Sequence, residues 1–296
     1  MTAHNGIESG QEVRPREVAF RVGSMHFSAQ EWGEPGKTPV LALHGWLDNS
    51  ASFSVLAPLL NNVHLVALDM AGHGQSDFRP SNQPYNIWED VGELFAIADQ
   101  MGWERFTLVG HSRGAIISML AAGTFPERIE NLVLIDGLWP DPVTAQQAPE
   151  QLARSISDVK DLQDKQPPIY PSLDVATNAR YRGRFKLTRQ AAQLLTERGL
   201  RLVPGGYTLS SDARLMGASA FKLTQAHIQA FVERIVAKTV LILAKDGLTK
   251  KFDQYQENLG LFPHIRVEVL PGNHHLHMEA EALRVADIIH GCIGQP

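Results

Sequence analysis

Ser112 stands between Gly110 and Gly114 in the stretch LVGHSRGAIISML (108–120), directly after an apolar run and directly before a helical one. Two glycines without Cβ atoms let a strand turn abruptly into a helix, and that corner pushes the serine hydroxyl out over the sheet. The amino end of the following helix favours negative charge developing nearby. Such a hydroxyl is a weak nucleophile until a base takes its proton. The stretch VLPGNHHLHME (269–279) offers three candidates for that base, His274, His275 and His277, just after the last expected strand. A histidine near its ordinary pKa can accept the serine proton and return it to a leaving group.

The base needs a carboxylate to orient it, and two candidates end strands. Asp246 in ILAKDGL (242–248) follows the penultimate strand, and Asp136 in LVLIDGL (132–138) follows an earlier one. Asp246 is the first choice and Asp136 the alternative, giving the order nucleophile, acid, base. A metal reading of H-H-x-H is disfavoured. Adjacent histidines point apart, and no cysteine or second His/Asp pair sits at ligand spacing. No metal and no cofactor is expected.

Ligands of open α/β sheets gather at the carboxyl ends of strands, so these residues require such a sheet. VAFRV (18–22) and MHFSAQEW (25–32), joined by Gly23-Ser24, read as a hairpin. VLALHG (40–45), HLVALD (64–69), FTLVGH (106–111) and NLVLID (131–136) are apolar throughout, as strands buried on both faces must be. Helical stretches at 52–61, 87–101 and 113–125 alternate with them, the pattern of a doubly wound, mostly parallel sheet. The alternation stops at Leu138. Up to Ala237 the spacing predicts polar helices (150–164, 174–198, 222–236) and no buried strand. It resumes with TVLILA (239–244), a helix near 251–260, RVEVL (266–270) and a last helix at 279–292. Residues 1–137 and 238–296 are therefore assigned to one core domain, and 138–237 to a helical cap inserted after the sixth strand.

Composition is that of an ordinary globular protein: 296 residues, 44% hydrophobic and 20% charged. A net charge of −5 offers nothing to nucleic acid, and no run approaches a membrane span. The single cysteine, Cys292, and the polar amino terminus fit a cytoplasmic protein. The expected partner is a small-molecule substrate; oligomeric state is not legible. Arg180, Arg182, Arg184, Lys186 and Arg189 in ARYRGRFKLTR (179–189) read as a solvated helix face, or alternatively as a cradle for a substrate carboxylate. Trp46, Trp139, Phe53 and Tyr207 could wall a pocket or serve the core.

With these pieces in place, the chain resembles the α/β-hydrolase superfamily from about residue 38 to 290. The likeness rests on LHGW (43–46), DMAGHGQS (69–76), VGHSRG (109–114), LVLID (132–136) and PGNHHLHME (271–279). LHGWLDNSASF and RGLRLVPGGYTLSSDARL are most similar to its serine hydrolase-like subgroup. The resemblance implies an α/β-hydrolase fold of about eight strands. It implies Ser112 as nucleophile and His274 as catalytic histidine, five positions before Glu279, with His277 structural. It assigns the backbone amides of Trp46 and Arg113 to an oxyanion hole. His44, Asp69 and His73 match structural positions. The chain departs from the family pattern around Asp246, where Ala244-Lys245 precede and Gly247 follows, and at Glu281, which replaces a usual proline. The implied activity is hydrolysis of a carboxylester, thioester or lactone through an acyl-enzyme. The alternatives are C–C bond hydrolysis, or a non-hydrolytic ligand-binding or cofactor-free oxygenase role.

Overall fold

The computed structural model describes residues 14–248, 259–260, 262 and 264–294. Eight strands form the main sheet in the order β1-β2-β4-β3-β5-β6-β10-β11. The edge hairpin β1 (Arg16–Val22) and β2 (Met25–Gly33) is antiparallel, and β2 also runs against β4 (Val63–Leu68). All other pairs are parallel: β3 (Thr38–Leu43), β4, β5 (Phe106–His111), β6 (Ile129–Ile135), β10 (Lys238–Ala244) and β11 (Arg266–Leu270). This is the doubly wound sheet that the apolar runs require.

Every residue of β4 and β5 is buried. Their alternate side chains divide between two apolar layers. Leu41, Leu68 and Leu108 face helices α1 (Ile87–Gln100) and α2 (Arg113–Thr124). Val40, Ala67 and Val109 face the last helix, Ala282–Ile293. Burial on both faces is what makes the central strands read as unbroken apolar sequence.

Between β6 and β10 lie α3 (Ala148–Leu162), α4 (Leu173–Tyr181), α5 (Arg189–Arg198) and α6 (Gln225–Val232). The last helix of the chain is accordingly α7. The inserted segment also holds a small antiparallel sheet, β7 (Ile169–Tyr170), β9 (Gly206–Leu209) and β8 (Leu200–Val203). No buried strand was expected there, and these strands are short, largely exposed or half-exposed, and lack an apolar run.

Three other expectations need correction. The helix expected over 52–61 is two short 3₁₀ turns, Ser50–Phe53 and Ala57–Leu59. Pro58 lacks the N–H that a continuous α-helix would use there. The helix expected over 174–198 breaks at Arg182, and Thr188 starts a new one by accepting a hydrogen bond from the Ala191 amide. The helix expected at 222–236 spans only Gln225–Val232. The helix expected near 251–260 falls almost wholly outside the described residues. Among the described residues, no helix is long and apolar enough to cross a membrane.

Candidate functional site

Ser112 occupies the junction of β5 and α2 with φ 52° and ψ −113°. A left-handed conformation at a residue with a Cβ costs roughly 1–3 kcal/mol, and packing around it must hold it there. Two close backbone approaches do so. A Cβ on Gly110 would lie 2.4 Å from Gly114 O, and one on Gly114 would lie 2.1 Å from Leu43 O. Only glycine fits at either place. The Ser112 amide donates to Ile135 O at 2.9 Å, tying the corner to the end of β6.

The residue immediately after β6 is Asp136, which is fully buried. It too has a positive φ, 43°. Its Oδ2 accepts a hydrogen bond from His274 Nδ1 at 2.6 Å. The carboxylate at His274 is thus Asp136, not Asp246. Asp246 is exposed at the surface, while its own amide donates to Gly272 O at 2.9 Å. The loop that carries Asp246 contributes backbone instead. Ala244 N–H donates to Asp136 Oδ1 at 3.1 Å, and Leu248 N–H to Oδ2 at 2.9 Å. Gly247 is what permits this wrapping, since a Cβ there would fall 2.3 Å from Asp136 Oδ2. The glycine after Asp246, a departure from the family pattern, makes room for the other aspartate.

With Nδ1 bound to Asp136, His274 presents Nε2 as its remaining functional atom. Among the described residues neither that nitrogen nor Ser112 Oγ is hydrogen-bonded. Ser112 is half-buried and needs only a χ1 rotation to change the direction of its hydroxyl. Such contacts commonly tighten when substrate binds. Phe185 of the inserted segment stacks over the His274 ring at 4.9 Å.

The backbone amides of Trp46 and Arg113 donate to no acceptor among the described residues. They belong to adjoining loops, since the Cβ position of Gly114 also falls 2.8 Å from His44 O. His44 braces the first of these loops: its Nδ1 donates to Gly45 O at 2.7 Å, and its Nε2 accepts from the Met70 amide at 3.1 Å. Asp69 organises the neighbouring turn by accepting from the Ser50 and Gln75 amides. Both are structural in this arrangement, as is His277, whose Nε2 meets Ser52 Oγ at 2.9 Å.

A second aspartate–histidine pair lies beside the first and was not foreseen. Asp48 Oδ2 accepts from His275 Nε2 at 3.0 Å. His111, the residue before Ser112, donates from Nε2 to the backbone carbonyl of His274 at 2.9 Å. Its Nδ1 has no partner and faces Asp48 Oδ2 at 3.7 Å. The adjacency of His274 and His275 was a signal in the sequence, but nothing local identified Asp48 as the second acid. Asp48, His111 and His275 bring their ligand atoms within 4.8 Å of one another, which a metal ion could use. Yet both Asp48 oxygens already accept N–H donors, one from Arg180 and one from His275, so the carboxylate is satisfied without an ion.

Burial sets the protonation of the surrounding rings. It pushes His277 down to about 3, and His111 and His73 well below the usual histidine range. His44 is lowered for the same reason. Burial alone would raise Asp48, but His275, Arg180 and His111 together hold it well below the ordinary carboxylate range.

A cavity of about 230 Å³ opens between the sheet end and the inserted segment. Trp46, His275, Phe185, Leu187 and Leu195 line it, with Arg180 and Arg184 among them. Of the suggested wall residues only Trp46 does so; Phe53 and Trp139 belong to the core. The basic run divides: Arg180 binds Asp48, Arg189 pairs with Asp174, and Arg184 lies over the Phe185 ring.

Comparison with known proteins follows this geometry. The model of the α/β hydrolase fold family matches residues 38–281. The chain is 32% identical over 293 residues to "Serine hydrolase-like protein 2" of Homo sapiens, covering 92% of each chain. It is 32% identical over 266 residues to "Serine hydrolase-like protein" of Danio rerio, covering 84% of this chain and 79% of the relative. A solved hypothetical protein from Pseudomonas aeruginosa PAO1 superposes with a TM-score of 0.87 at 43% identity, covering 93% of this chain and 97% of the other. The thioesterase domain from the curacin biosynthetic pathway superposes with a TM-score of 0.82 over 93% of this chain and 99% of the other. At 22% identity that last match is a likeness of fold.

Proposed function

Since this chain belongs to the α/β hydrolase fold family, we propose that it is a serine hydrolase acting on an ester-like bond of a small molecule. The observation that carries this reading is the buried Asp136–His274 hydrogen bond beside a serine held at a left-handed corner. Asp136 fixes the imidazole with Nδ1 protonated, leaving the Nε2 lone pair to take the Ser112 proton. Ser112 Oγ then attacks the carbonyl carbon, and the negative charge moves to the carbonyl oxygen. The Trp46 and Arg113 amides, free of other acceptors, receive that charge; each such donor contributes about 10²–10³ in rate. His274 returns its proton to the departing alcohol or thiol, leaving an acyl-enzyme. Water activated by the same imidazole releases the acid.

In this reading residues 138–237 form a cap, and the cavity beneath it, lined by Trp46, His275 and Phe185 but by neither Ser112 nor His274, takes the part of the substrate that extends from the reacting carbonyl. Its mostly apolar lining suits an acyl or aryl group. Carboxylesters, thioesters and lactones all fit this chemistry, and cytoplasmic placement fits the single buried Cys292.

The test is stoichiometric labelling with a fluorophosphonate probe followed by intact mass. One adduct on the wild type and none on Ser112→Ala supports the reading. A folded wild type that takes no label overturns it, in favour of ligand binding or oxygenase chemistry. A panel of esters, thioesters and lactones at several acyl lengths then separates the substrate classes, and a C–C bond substrate added to it tests that alternative.

A further inference from the structure

We propose that the cap assembles the oxyanion loop, with Asp48 as the positioning residue through which cap docking and catalytic geometry become one event. The inference rests on the hydrolase reading above and concerns how its site is put together.

Four consecutive residues of the loop after β3 are bonded to the inserted segment. Trp46 Nε1 donates to Leu215 O at 2.8 Å. Leu47 O accepts from Arg180 Nη1 at 3.0 Å. Asp48 Oδ1 accepts from Arg180 Nη2. Asn49 Nδ2 donates to Leu195 O at 2.9 Å. The core contributes the Asp48 amide, which donates to Gly45 O at 3.1 Å and closes the turn, the His275 bond to Asp48 Oδ2, and the Ala51 and Ser52 amides, which donate to Asn49.

This turn needs holding. Leu47 has φ 59°, a conformation that a branched side chain adopts only when its surroundings impose it. Arg180 does so from the cap, gripping the Leu47 carbonyl and the Asp48 carboxylate with two arms of one planar guanidinium. The amide assigned to the oxyanion belongs to Trp46, which lies inside this turn.

The same carboxylate reaches the other catalytic loop. Asp48 Oδ2 holds His275, and His111 bridges to the His274 carbonyl. Asp48 is therefore the point where the cap, the oxyanion loop and the histidine loop meet, while touching no reacting atom. Displacing the cap releases the Trp46 amide and loosens the backbone of His274 together. Hydrolysis then follows cap closure, which favours substrates small enough to fit beneath a docked cap.

The experiment compares Asp48→Asn, Arg180→Gln, their double variant and Arg180→Lys in the full chain, using p-nitrophenyl acetate. Each kcat is normalised to the fraction that a fluorophosphonate probe labels, so partial unfolding does not enter. The expected result is a loss of about 10²-fold in kcat for either single variant, the scale of a misplaced oxyanion donor, with KM changed less than about twofold. The double variant loses no more than the worse single one, because the two groups act as a unit. Arg180→Lys recovers part of the loss, since an ammonium keeps one of the two contacts. Additive losses, an unchanged normalised kcat, or a change confined to KM would each overturn the proposal. Amide hydrogen exchange provides a readout without turnover. Protection across residues 45–51 falls in Arg180→Gln if the cap holds the loop, and unchanged protection overturns the idea. A wild type that resists labelling sinks the hydrolase reading, whereas a labelled wild type with indifferent variants sinks only this one.

Discussion

His274 and His275 are neighbours in the chain, both are buried, and each bonds to a buried aspartate, yet they do so through different ring nitrogens. His274 uses Nδ1 for Asp136 and so turns Nε2 outward. His275 uses Nε2 for Asp48, and its Nδ1 ends in the interior without a hydrogen-bond partner among the described residues. The difference lies in which ring nitrogen is engaged and where the other one emerges. The partners differ too. Besides His274, Asp136 accepts from the Ala244 and Leu248 amides, whereas Asp48 pairs with Arg180 of the inserted segment. In the proposed mechanism the first pair transfers the proton, and in the proposed cap coupling the second holds loops in register.

The contrast is broken most sharply by exchanging each histidine for glutamine. His274→Gln is expected to lower kcat by about 10⁶, the scale for losing a catalytic base. His275→Gln keeps a donor toward Asp48 and should cost about tenfold or less. Equal losses in the two variants, measured on an ester the wild type cleaves, would erase the distinction. Next come the acids. Asp136→Asn should reduce kcat by about 10⁴ through loss of the correct tautomer, while Asp246→Asn, at an exposed site, should stay within about twofold. A large loss in Asp246→Asn would return the role to the residue favoured by its place after the penultimate strand.

A smaller effect tests the wrapping of Asp136. In Gly247→Ala the new Cβ would press on Oδ2 from 2.3 Å. The displaced loop should cost about 1–3 kcal/mol of stability, read from denaturant unfolding, and lower kcat without changing KM. The mildest prediction concerns pH and touches folding only. His44, His73, His111 and His277 have folded-state pKa values depressed by burial, His277 to about 3. Between the unfolded value of about 6.5 and those lower values, the unfolded chain binds more protons than the native one. Stability there rises with pH and is lost on acidification. Tm should therefore be flat above pH ~7 and fall steadily below ~6.5, with Asp48 adding to the decline below ~4 as its depressed carboxylate protonates. A Tm that held constant down to pH 4 would mean these rings carry charge in the native state.

Legibility followed the range of the interactions. Strands β3, β4, β5, β6 and β10 were readable because burial on both faces writes an apolar run directly into the chain, whereas the edge strands β1 and β11 are largely exposed. Ser112 was readable because its strain is relieved by glycines two positions away on either side. The segment inserted between β6 and β10 was less so. Its hairpin Leu200–Leu209 is half-exposed, and the break after Tyr181 depends on Thr188 capping a new helix, which a continuous polar stretch disguises. The acid was read as Asp246 with Asp136 as the alternative, and it is Asp136 that His274 bonds. Asp136 and Asp246 both follow apolar strands, so their local signals are equal; the order of strands β6, β10 and β11 and the room at Gly247 separate them.

Chain order and local pattern alone settle the sheet, the corner that exposes Ser112, and the loop that brings a histidine to the same edge, since each follows from contacts within a few residues. Which aspartate serves which histidine, and that Arg180 meets Asp48 across the cap, arise only on folding. A carboxylate's partner depends on distances of about 3 Å between loops remote in sequence, and no local propensity encodes those.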